Sequence, residues 1–230
     1  MDLAIDVIIV PQGPECRAVR QGLKKSTIKP RIIAIPIGTN QIEKTLSGQE
    51  FWQSNPKRVL MLGLCGSLSS SLSVGDLALY ESCYQQENRN YIEINSELNS
   101  SISHRLNTQE RQGNIILVAG LTSQKVVTRV ATKRHLCETF SAQVIDMESF
   151  QYITHLKQRE TELSILRIVS DDLKFDLPNL EQAISIDGNL KPLTLIKEMS
   201  RAPYSSIKFV TGSLRALKKL RKTVELIFTE

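Results

Sequence analysis

The sequence predicts an α/β protein, a three-layer α-β-α fold with helices on both faces of a mixed, mainly parallel central sheet. Short runs rich in Val, Ile and Leu alternate with longer amphipathic stretches along most of the 230 residues, the order that βαβ units produce. Several of these runs, such as VIIV and VLML, are apolar at consecutive positions. Strands of that composition are covered on both faces.

Strands are expected over Ala4–Val10, Arg31–Ile37, Arg58–Leu64, Asp76–Tyr80, Asn114–Ala119, Gln143–Ile145 and Leu163–Val169. Helices are expected over Glu15–Lys25, Gln41–Gln53, Ser96–Thr108, Gln124–Phe140 and Glu148–Arg159. From Pro203 onward the chain reads as one long helix, because Ile207, Val210, Leu214, Leu217, Leu220, Val224 and Ile227 recur at steps of three and four. Residues 1–230 read as one domain, with a basic amphipathic helix at 203–228 as part of it. In open α/β sheets ligands bind beyond the carboxyl ends of strands, so the residues just after each run matter most.

Composition narrows the class. A hydrophobic share of 41% with 23% charged residues is that of a soluble globular chain. No apolar run reaches the roughly 20 residues of a membrane span, and MDLAIDVIIVPQG lacks the basic start of a signal peptide. The four cysteines (Cys16, Cys65, Cys83, Cys137) show no CxxC spacing, which points to reduced thiols and a cytoplasmic protein without a structural metal. The net charge of +5 resides in the last thirty residues, where seven Lys/Arg face two Asp/Glu. A nucleic-acid footprint spread over the whole surface is therefore excluded.

Three glycines fall in Gly63-Leu64-Cys65-Gly66-Ser67 and Val74-Gly75-Asp76 after the run VLML, a plausible binding turn because glycine permits positive φ and close backbone approach. A tight connection without a ligand is the equal alternative. Two look-alikes fall away. Gly38–Thr45 resembles a phosphate loop, but Glu43 stands where its second glycine belongs. GLCGS has glycine on one side of Cys65 only and is not a nucleophile elbow.

Carboxylates follow three strand-like runs: Glu15 after the first, Asp146-Met147-Glu148 after QVI, and Asp171-Asp172 after LRIVS. Each alone reads more readily as a helix cap. Three at one edge of a sheet are harder to explain in that way.

LGLCGSLSSSLSVGD resembles the Gly-rich signature of the purine nucleoside phosphorylase and methylthioadenosine/S-adenosylhomocysteine nucleosidase superfamily. VIDMES resembles its ribose motif and LRIVSDD its base-binding motif, and the three occur in the family's order. The resemblance, over about residues 3–173, implies cleavage of the N-glycosidic bond of an adenine-type purine nucleoside. It implies that Asp171, beside Ser170, donates or relays a proton towards N7 of the base. Glu148 would accept from the ribose hydroxyls while Met147 packs on the sugar, and Gly63, Cys65 and Gly66 would border the ligand. Glu15 would activate water, as catalytic partner to Asp171. No metal or organic cofactor is implied; phosphate is the alternative co-substrate. Family members are homodimers, trimers or hexamers, so a homo-oligomer is expected.

Protonating the base makes it leave, and a carboxylate facing the sugar stabilises the cation that develops there. Phosphate beside anionic Glu15 would be repelled unless cations compensate; Arg17 and Arg20, one turn on, are the candidates. Hydrolysis is therefore expected over phosphorolysis. The sequence departs from the family where Leu64 replaces a Ser/Thr, and where GLTS at Gly120–Ser123 lacks the Asp and aromatic of GDxF. Those losses define a second reading, a nucleoside-binding protein without turnover. The C-terminal region, ISIDGNLKPLTLIKEMSRAPYSSIKFVTGSLRALKKL, resembles the hopanoid-associated branch and implies a lipid-linked nucleoside. The basic final helix would then make peripheral contact with a membrane, although packing of its apolar stripe on the domain is the more common arrangement for such a helix.

Overall fold

The computed structural model describes residues 3–38, 56–94, 96–109, 115–159, 161–180 and 192–229. In chain order these form β1 (Val7–Pro11), α1 (Pro14–Gly22), β2 (Arg31–Ile35), β3 (Arg58–Ser67), β4 (Leu77–Gln85) and β5 (Tyr91–Glu93). There follow α2 (Glu97–Gln109), β6 (Ile115–Thr122), α3 (Val130–Phe140), β7 (Val144–Asp146), α4 (Ser149–Lys157), β8 (Glu162–Asp171), α5 (Pro192–Arg201) and α6 (Pro203–Phe228). The helix expected over Gln41–Gln53 lies outside the described residues.

The eight strands form one mixed sheet. β1 pairs in parallel with β2 and β3, and β3 with β8. β8 runs antiparallel to β4, β4 and β6 are parallel, β6 and β7 are parallel, and β7 returns antiparallel to β3. Strands β3, β8, β4, β6 and β7 thus close on themselves, while β1–β2 extend the sheet on one side and β5 lies along β4.

Alternation along the strands builds the layers. Ile9 and Met61 point into a core shared with Phe150, Ile153 and Leu156 of α4. Their neighbours Ile8, Leu60 and Leu62 point the other way, against Val19 of α1, Ile102 of α2, and Ala216, Leu220 and Val224 of α6. A third cluster packs Leu136 and Phe140 of α3 on Leu121 and Ile145. The predicted three-layer α/β class is the observed one.

Boundaries differ where local chemistry was misread. GLCGS is not a turn after a strand: it is the last half of β3 itself, and among the described residues the positive-φ glycines are Gly13, Gly38 and Gly75. Helix α3 begins at Val130 rather than Gln124. Val126-Val127-Thr128 is a β-branched run, a poor helix start, and the free amide of Val130 is satisfied by Oδ1 of Asp176 at 2.7 Å.

Candidate active site

Two registers bring the distant segments together. A shift between Cys65 and Gly66 in the β3–β8 pairing sets Gly66 beside Asp171. The antiparallel pairing of Gly66 with Ile145 turns the chain leaving β7 back along β3, towards the start of α1. Glu15, Met147, Glu148, Ser170 and Asp171 consequently line one cavity of about 450 Å³, together with Leu64, Cys65 and Gly66. That volume lies within the range of small-molecule sites.

Each carboxylate is held differently. Asp146 takes the capping role: its Oδ1 accepts from the amides of Glu148 (3.3 Å) and Ser149 (3.2 Å) at the start of α4, and from the Thr122 hydroxyl at 2.8 Å. Its Oδ2 accepts from Tyr80 at 3.0 Å. Asp146 therefore fixes the turn, and Glu148 is left to face the cavity. Oε1 of Glu148 accepts from the Gly38 amide at 2.9 Å. Gly38 opened the rejected phosphate-loop look-alike; its amide serves a carboxylate instead.

Glu15 accepts the Leu64 amide at 2.7 Å through Oε1. Burial pushes its carboxyl up to about 7; Arg167 pulls it down and Glu148 adds to the rise. The Glu148 carboxyl is also raised, chiefly by burial, with Arg167 opposing and Asp146 assisting.

Arg167, from the middle of β8, is the cation that sequence reasoning did not place. It is fully buried, with Nη2 3.3 Å from Asp146, 3.4 Å from Glu148 and 3.1 Å from the Ser149 hydroxyl. Burial by itself would lower its pKa, but Asp146 and then Glu148 outweigh this and the guanidinium stays charged. Its Nε and Nη1 have no protein acceptor among the described residues. Arg17 and Arg20, the candidates from sequence, are exposed on α1 and do not line the cavity.

Gly63, expected at the ligand, lies behind the cavity wall. A Cβ there would collide with Nη1 of Arg167 and come within 2.9 Å of Oε1 of Glu15. Its role is to leave room for those two side chains.

Asp171 is paired with a second unforeseen cation. Nζ of Lys133, on α3, donates to its Oδ2, and both residues are buried. The Ser170 hydroxyl lies 2.8 Å from Oδ1 of Asp171 and 3.1 Å from the Cys65 carbonyl. The neighbouring Asp172 turns away and pairs with Lys174 at 3.1 Å. Cys65 lines the cavity, and burial raises its thiol well above the ordinary range. It is a wall there, not a nucleophile.

The remaining wall is mostly apolar: Val126, Val127, Leu177 and Leu180, with Phe209, Val210, Leu214 and Leu217 of α6, interrupted by Gln12, Lys125 and Ser213. Helix α6 reaches this position because Gly212 rests on the backbone of β8. A Cβ at Gly212 would lie 2.5 Å from the Ser170 carbonyl oxygen.

The same architecture occurs in solved structures. Futalosine hydrolase of Helicobacter pylori strain 26695 superposes with a TM-score of 0.69 at 16% identity, over 96% of this chain and 95% of that one. The 5'-methylthioadenosine/S-adenosylhomocysteine nucleosidase of Helicobacter pylori gives 0.65 at 17% identity, covering 95% and 96%. That of Campylobacter jejuni gives 0.63 at 16%, covering 95% and 100%. No curated protein matches the chain. Residues 10–186 match the sequence profile of the phosphorylase superfamily, and on that match, together with its fold, the chain belongs to this superfamily.

Proposed function

We propose that the protein is an enzyme that cleaves the N-glycosidic bond of an adenine-type purine nucleoside, with water as the acceptor. The observation that carries this is the convergence of Glu15, Glu148 and Asp171, from three distant segments, on one cavity with an apolar wall. A purine stacks against apolar side chains, and its ring nitrogens need a donor at the polar end.

Asp171, held by Lys133, faces N7 of the departing base and relays the proton that makes it leave. Glu148 accepts from the ribose hydroxyls and strengthens its hold as the sugar becomes cationic, which favours the transition state over the bound substrate. Met147 packs on the sugar. Glu15, poised near neutrality, takes the proton of the attacking water. Arg167, fully buried behind the wall, holds Glu148 and Asp146 in place for this step.

Electrostatics supports hydrolysis over phosphorolysis. Of the cations near the cavity carboxyls, Arg167 is shared by Asp146 and Glu148 and Lys133 is held by Asp171, while Lys125 lines the cavity beside Val126 and Val127. A phosphate dianion at the attacking position would stand beside the carboxyls of Glu15 and Glu148, which repel it whenever they are ionised. The 5' substituent would lie along the apolar wall of α6, which suits a non-polar group and extends to a lipid-linked nucleoside.

The test is product analysis by chromatography with adenosine, methylthioadenosine and an adenosyl lipid, each with and without phosphate. Adenine release without phosphate, abolished by Asp171→Ala, is expected. A strict requirement for phosphate overturns hydrolysis. Nucleoside binding by calorimetry with no base released overturns turnover itself.

A further inference from the structure

Helix α6 presents two faces with different chemistry. Ser206, Ala216, Leu220, Val224 and Ile227 are buried in the core or beneath it. The opposite face is open in its first half, and large apolar side chains stand on it: Tyr204 is 69% exposed, Ile207 67% and Leu214 61%. Steps of three and seven residues put these three on one side of a helix.

That same side is basic. Lys208, Arg215, Lys218, Arg221 and Lys222 are exposed along it, and no Asp or Glu occurs between Pro203 and Val224. Nζ of Lys208 lies 5.5 Å from the Tyr204 ring centroid, so charge and aromatic form one unit. The face also borders the cavity, since Val210 and Leu214 belong to both.

We propose that the outer face of α6 docks on an anionic lipid surface and thereby sets the mouth of the cavity against the bilayer. Isolated surface apolar residues are ordinary, but apolar residues interleaved with cations match the interfacial region, where Tyr, Leu and Ile enter the acyl boundary and Lys and Arg reach the headgroups. A second copy of the chain is the less fitting occupant. A two-fold contact through this face would set lysines and arginines against those of the other copy, with no Asp or Glu between Pro203 and Val224 to offset them, which is repulsive. The contact is peripheral: among the described residues no helix is long and apolar enough to cross a membrane.

The experiment is co-sedimentation of the full chain with vesicles of phosphatidylcholine alone and of phosphatidylcholine mixed with phosphatidylglycerol. Binding to the mixed vesicles, weakened by salt and weak on neutral ones, is expected. Lys208→Glu with Lys218→Glu should lower the partition coefficient by about five-fold for each charge removed, and further for reversal. Tyr204→Ser with Ile207→Ser should reduce binding at least as strongly. None of the four side chains lines the cavity, so cleavage of water-soluble adenosine should stay at the wild-type level in both variants. This separates failure of docking from failure of the enzymatic reading. A wild-type chain left in the supernatant with anionic vesicles, or variants that bind as the wild type does, overturns the proposal. So does a dimer by ultracentrifugation that Tyr204→Ser with Ile207→Ser dissociates, because the face then belongs to a second copy.

Discussion

Nζ of Lys133 meets Oδ2 of Asp171 inside the protein, with 1% and 8% of the two side chains exposed. A buried pair of this kind holds together because each charge is costly without the other. The lysine comes from α3 and the aspartate from the end of β8, so the contact ties a helix to the cavity-lining edge of the sheet.

Lys133→Met should therefore strand a buried carboxylate and destabilise the protein by about 3–5 kcal/mol. Lys133→Met with Asp171→Asn removes both charges and should recover part of that loss. Urea unfolding of the four proteins measures the coupling; simple additivity would show that the pair is not energetically linked. Base release should fall by about 10²-fold or more in the single lysine variant.

The carboxyl of Glu15, raised to about 7, makes two predictions with opposite pH trends. As a general base it works ionised, so kcat/KM should rise through about pH 7, and Glu15→Gln should abolish the rise along with most activity. Stability runs the other way. Between the unfolded pKa of about 4.3 and the folded value the native protein retains a proton that the unfolded chain has lost, so stability falls as pH increases through that window. Gln cannot titrate. The stability advantage of Glu15→Gln over wild type should widen between pH 5 and pH 8, by about 1–3 kcal/mol. A constant gap across that range would place the folded pKa of Glu15 near its ordinary value.

How much of this was readable beforehand depended on where the chemistry lies along the chain. Glu15, Glu148 and Asp171 were legible because each follows an apolar run, and the fold collects strand ends at one rim. Arg167 was written in plain view inside LSILRIVS, where a charge in the middle of a doubly covered strand demands buried partners. The sequence carries that signal within the stretch that resembles the base-binding motif. Lys133 carried no such mark, since a lysine on an amphipathic helix ordinarily faces water and only the docking of α3 on the sheet turns it inward. The extension of β3 through Gly66 was hidden because glycine reads as turn, whereas here it makes space for side chains from neighbouring elements.

Gly63→Ala tests that reading of the glycine. Its methyl group would press on Nη1 of Arg167 and on Oε1 of Glu15, displacing the carboxyl assigned to water and the guanidinium that positions Glu148. A misplacement of this size costs about 10²-fold in rate, so kcat/KM should drop by that order while far-ultraviolet circular dichroism stays unchanged. Wild-type kinetics in Gly63→Ala would remove the assigned role from the Glu15–Arg167 pair.

Gly212 sets helix propensity against packing, and the sign of one substitution decides between them. In a solvent-facing helix Gly→Ala stabilises by about 1 kcal/mol. At Gly212 the added Cβ would lie 2.5 Å from the Ser170 carbonyl oxygen, a separation backbone atoms cannot accept without α6 lifting from β8. Because Phe209 and Leu217 on either side of Gly212 line the cavity, such a shift moves the substrate wall as well as the core. Gly212→Ala should therefore lower the urea midpoint and raise KM, whereas Thr211→Ala, one residue earlier and exposed, should leave KM unchanged and stability equal or slightly higher. A Gly212→Ala protein more stable than wild type would mean that α6 does not rest on Ser170 in solution, and the wall of the cavity would have to be drawn without it.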